Sequence, residues 1–78
     1  MLKPSKHADL SLSVLNIAGL IIEILQQNNI LTHDDLLSIL THRTSESVKE
    51  VYHYALSFLY LVGKLEYSPE IDALRIPQ

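Results

Sequence analysis

The sequence has no cysteine. That excludes a disulfide framework, a thiolate metal site and a cysteine nucleophile. Glycine occurs only at Gly19 and Gly63, so there is no glycine-rich loop to cradle a phosphate. No stretch approaches the roughly 20 consecutive apolar residues that cross a membrane. Met1–Lys6 is not followed by an apolar segment with a small-residue cleavage site, the mark of a secretory signal. A soluble, cytoplasmic domain without membrane contact is expected. Positive charge is scarce too. Six Lys and Arg stand against nine Asp and Glu, a formal net charge of -3. The six are Lys3, Lys6, Arg43, Lys49, Lys64 and Arg75, scattered along the chain. Nucleic-acid binding draws most of its affinity from clustered cations. Direct nucleic-acid contact is therefore not expected outside a larger complex.

What is present is a normal apolar content. Hydrophobic residues make up 47% of the 78, enough to drive collapse and to exclude disorder as the default. A chain of this length forms one domain. An enzyme-sized pocket would consume its core. His7, His33, His42 and His53 form no i, i+3 or i, i+4 pair that would set two imidazoles on one helix face. Nothing presents a serine on a sharp turn for nucleophilic attack. Tyr52, Tyr54, Tyr60 and Tyr67 lack the interleaved cations of a base-stacking platform. The sequence predicts no enzyme, no cofactor and no metal site.

The pattern along the chain predicts an extended segment over residues 1–10 and one domain over 11–78. Val14, Ile17, Ile21 and Leu25 step by three and four residues, which predicts a helix over about 12–27, capped by Asp9 or Ser11. Ile30-Leu31 reads as a short apolar link. Thr32 and Asp35 have the spacing of a capping box, and a second helix is expected over about 33–41 with Leu36, Leu37, Ile39 and Leu40 inward. A third is expected over about 46–62, with Val48, Val51, Tyr52, Ala55, Leu59 and Val62 on one face. Gly63 is the expected left-handed residue after it. From Lys64 the period switches from 3.6 to 2. Lys64–Tyr67 and Ala73–Ile76 predict a hairpin, with Leu65, Tyr67, Leu74 and Ile76 inward and a Glu66–Arg75 cross-strand pair outward. The fold class is mainly α with a C-terminal β-hairpin, in the element order of a winged-helix domain: three helices, then a wing.

In a DNA-binding winged helix the third helix enters the major groove. Its outward face here carries Glu46, Lys49, Glu50, His53, Tyr54, Ser57 and Tyr60. Two acids against one lysine would repel phosphate. Apolar residues in excess of one core are more informative. Leu15 and Ile22 lie roughly 100° from the centre of the first helix's core face, with Leu12 and Gly19 further round. Gly19 would let another backbone approach closely. On the third helix Tyr54, Phe58 and Leu61 extend past the core face. The predicted partner-binding surface is Leu12, Leu15, Gly19, Ile22, Tyr54, Phe58 and Leu61.

Two stretches bear a family likeness. Pro4-Ser5-Lys6-His7 and Asp9-Leu10-Ser11-Leu12-Ser13-Val14-Leu15 lead into the first helix. Phe58-Leu59-Tyr60-Leu61-Val62-Gly63-Lys64-Leu65-Glu66-Tyr67 closes the third and opens the hairpin. Together they resemble the small middle components of bacterial ABC-three-component systems, a group related to the Lamassu type of antiphage defence. The resemblance implies a non-catalytic accessory subunit working with a large SMC-like ABC ATPase and an effector protein. It implies no site residue by position. The alternative reading is a small winged-helix transcriptional regulator. It would form a homodimer through the first helix and hold DNA by Lys3, Lys6, Lys49, Lys64 and Arg75.

Overall fold

A computed structural model describes residues 6–77, with the backbone alone for residues 6–13. The elements in order are α1 (Lys6–Asn28), β1 (Ile30–Thr32), α2 (His33–Arg43), α3 (Val48–Leu61), β2 (Glu66–Ser68) and β3 (Ala73–Arg75). The chain is mainly helical, with a small antiparallel hairpin near the C-terminus. The first helix starts earlier than the periodicity suggests. Residues 6–10 are helical rather than extended, so neither Asp9 nor Ser11 is a cap. They contain no glycine or proline to stop a helix, and Leu10 continues the spacing of Val14, Ile17 and Ile21. Residues 1–5 lie outside the described part.

Each turn between elements has an identifiable cause. Asn29 follows α1 with a left-handed φ of 69°; asparagine tolerates this better than most residues. Its N–H donates to the Leu25 carbonyl at 2.7 Å. Thr32 caps α2, its hydroxyl accepting from the Asp35 N–H at 3.1 Å, while Asp34 and Asp35 sit in the first turn. There they face the positive end of the helix dipole. Thr44 closes α2 from the other end: its N–H and its hydroxyl both donate to the Leu40 carbonyl. Gly63 takes φ 71° after α3. The Gly63 N–H reaches the Tyr60 carbonyl and the Lys64 N–H reaches that of Leu59, a double bond pattern that satisfies the helix's last carbonyls.

The apolar link after α1 is a strand. Leu31 pairs with Leu74, and Leu74 pairs with Tyr67 on its other side, giving the sheet order β1-β3-β2. The last strand is thus the central one. The expected Glu66–Arg75 pair forms, at 3.0 Å. The inward set differs in part. Leu65 and Leu74 are buried, but Tyr67 is exposed and Ala73 is buried instead. Ala73 is flanked by Thr32 and Ser68 in the two neighbouring strands, which cover so small a side chain.

One core joins all the layers. Ile17, Ile21, Ile24 and Leu25 of α1 meet Leu36 and Leu40 of α2 and the buried side of α3, with Leu65, just before β2, and Leu74 of β3 closing it. Val62 does not join the α3 core row; it is exposed, because it lies past the last helical residue.

Candidate functional site

The surplus apolar residues divide into those the core uses and those it leaves. On α1, Leu15 is 55% exposed, and Gly19 is exposed with no atom within 4 Å of where a Cβ would stand. Gly19 thus carries about 1 kcal/mol of helix penalty that no packing within the described residues requires. Ile22 is half-buried and packs against the core. The side chain of Leu12 lies outside the described residues. On α3, Tyr54 is 58%, Phe58 37% and Leu61 86% exposed. These three recur at intervals of four and three, which sets them in one row along the helix. Val62, also exposed, adjoins that row.

Three of the chain's six cations are held in exposed ion pairs. Arg43 pairs with Glu23 at 3.4 Å, Lys49 with Glu46 at 2.9 Å and Arg75 with Glu66 at 3.0 Å. Each exposed pair contributes at most about 1 kcal/mol. Their larger effect is on the surface field, since three of the cations a phosphate backbone would need are already neutralised. Every residue expected on the outward face of α3 is exposed, and its lysine is the one held by Glu46.

The hairpin meets the helices at a polar junction that the sequence reading did not find. His33, the first residue of α2, places Nδ1 2.9 Å from the Tyr52 hydroxyl. Its backbone N–H donates to the Asp72 carbonyl at 3.2 Å, and the Tyr67 hydroxyl donates to the Asp72 carboxylate. Asp72 holds a left-handed φ of 51°. The spacing of these residues, 33, 52, 67 and 72, gives no local signal; only the tertiary fold joins them. Burial pushes the Tyr52 hydroxyl well above its ordinary range, with Tyr60, Asp34 and Asp72 adding to it. A phenol whose folded-state value is raised keeps its proton in the folded chain when the unfolded chain has lost it. Stability is therefore full below the unfolded value of about 10 and falls as pH rises above it. Urea titrations between pH 9 and pH 11.5 are expected to show this alkaline loss, and Tyr52→Phe to reduce it, leaving the smaller share that the raised Tyr60 and Tyr67 hydroxyls contribute.

Of the other histidines, His42 and His53 are exposed, and the side chain of His7 lies outside the described residues. Among the described residues no three His, Asp or Glu gather as metal ligands, and no helix is long and apolar enough to cross a membrane.

With this geometry in view, comparison with known proteins is decisive at one point. The family model for the ABC-three component (ABC-3C) system Middle Component 8 matches residues 29–76. The chain belongs to this family. The Middle Component 8 match starts one residue past α1 and takes in the sheet, α2 and α3. It therefore contains Tyr54, Phe58 and Leu61, and the whole of the Phe58–Tyr67 stretch. Leu15, Gly19 and Ile22 fall outside it. No curated protein and no solved structure matches the chain.

Proposed function

We propose that this chain is a non-catalytic, winged-helix accessory subunit that docks on an SMC-like ABC ATPase and its effector in a cytoplasmic antiphage complex of the Lamassu type. Membership of a middle-component family carries the reading, since such a family implies partners within its own system. The order of elements, with β1 beside the last strand of the hairpin, supports the winged-helix assignment. The row Tyr54, Phe58 and Leu61, with Leu15 on α1, supplies exposed apolar surface of the sort that marks an interface. The regulator reading is weaker. Of its five proposed DNA-binding cations, Lys49 and Arg75 are engaged by carboxylates.

Co-expression with an SMC-like ATPase and an effector of an ABC-3C system from the same host tests the proposal. A stable complex that survives gel filtration is expected. A chain that elutes alone, or as a homodimer retaining DNA, would overturn it.

A further inference from the structure

A second face lies apart from the Tyr54–Phe58–Leu61 row, where the start of α2, another flank of α3 and the hairpin meet. Tyr60, Tyr67 and Ile71 are exposed there. The His33 ring stands 5.6 Å from that of Tyr67 and 6.0 Å from that of Tyr52. Asp72 is fixed beside His33 by a backbone bond and beside Tyr67 by a side-chain one. Asp34 directly follows His33 in α2, and Tyr60 lies about two turns beyond Tyr52 on α3, at the end that leads into the hairpin. These groups share one neighbourhood.

The charge on this face is mostly negative. Asp34, Glu70 and Asp72 form no ion pair among the described residues; of the cations on adjoining elements, Lys49 and Arg75 are held by Glu46 and Glu66, which leaves Lys64, in the turn between α3 and β2, against three acids. Aromatic rings present a negative π-face and attract cations. The guanidinium group of arginine is flat, stacks on rings and pairs with carboxylates. We propose that this face binds a basic segment of a partner protein, seating an arginine over Tyr60 and Tyr67 with Asp34 and Asp72 as counter-charges. Ile71 gives an apolar neighbour of that arginine a contact. The same carboxylates repel a nucleic-acid backbone, which makes a protein segment the fitting occupant.

The test is an amide-shift NMR titration of the full chain. The probe is a capped Arg-Leu-Arg tripeptide; its citrulline analogue has the same shape without the charge. Saturable shifts centred on His33, Tyr60, Tyr67 and Asp72 are expected, with the citrulline peptide at least tenfold weaker. Asp34→Asn with Asp72→Asn should weaken binding at least tenfold. Asparagine tolerates the left-handed φ of residue 72 and still accepts from Tyr67, so the fold is kept. Glu50→Gln, elsewhere on α3, should leave binding unchanged. Equal binding of the citrulline peptide, shifts centred elsewhere, or no saturation would overturn the proposal. None of these outcomes depends on whether the ATPase complex forms.

Discussion

Replacing Leu74 by alanine is expected to cost about 2–5 kcal/mol, the range for a leucine truncated in a packed core. Leu74 has no exposed surface, lies in the central strand, and is paired on both sides, to Leu31 and to Tyr67. It is the sheet's innermost contribution to the core that α1, α2 and α3 share. A domain of this size is stable by about 4–12 kcal/mol, so the loss takes a large share of the total. Urea unfolding followed by circular dichroism should show a much lower midpoint, or no folded baseline at all. Ile71→Ala provides the contrast. That side chain is exposed in the turn, and its truncation should stay within about 0.5 kcal/mol. Equal losses from the two variants would mean that β3 is not the packed centre of the sheet.

Tyr54→Lys combined with Leu61→Lys should weaken docking to the ATPase–effector pair at least 100-fold while leaving the isolated domain folded. Both side chains are mostly exposed, so the fold loses little when they change. Burying a tyrosine or leucine at an interface is worth about 1.5–3 kcal/mol each, and a lysine left in its place would be desolvated without a partner. Lysine is preferable to aspartate at 61. It suits the negative end of the α3 dipole, where an acid would itself destabilise the helix. Leu15→Lys asks the same question of α1. Affinity measured by titration calorimetry, with thermal unfolding of each variant beside it, separates docking from folding. Unchanged affinity in both variants would locate the interface elsewhere; unfolding would show that these side chains belong to the core.

Signals carried by neighbours in the chain were readable in advance. Thr32 and Asp35 lie three apart and make their cap bond. Gly63 takes the left-handed conformation expected after a helix, and Glu66 meets Arg75 across the hairpin. Signals made by distant residues were not readable. Ile30-Leu31-Thr32 is too short to announce a strand, and only its pairing with Ala73–Arg75 makes it one. The polar residues Lys6, His7 and Asp9 obscured a helix that neither proline nor glycine interrupts. Alternation placed Tyr67 inward, but a polar partner in Asp72 and an edge position in the sheet leave its ring at the surface. Of the predicted docking residues, Leu15, Gly19, Tyr54, Phe58 and Leu61 are on the surface. Ile22 is drawn partly into the core while Leu15, on the same line of α1, is not, because Ile22 lies within the Ile17–Leu25 stretch that the core packs and Leu15 lies before it.

The sheet order has a consequence for how the chain is made. Its centre is its last strand, and the Ile30↔Arg75 pairing spans most of the described sequence. During synthesis α1, α2 and α3 emerge before either flanking strand has anything to pair with. Local helices can form on sub-microsecond to microsecond timescales, but the sheet must wait for the final segment and then close a long loop. Until then Leu31 and Tyr67 border an empty slot with unpaired backbone edges. A nascent chain stalled before Ala73 is therefore a helical assembly with two open strand edges, the form of this domain most exposed to non-native pairing.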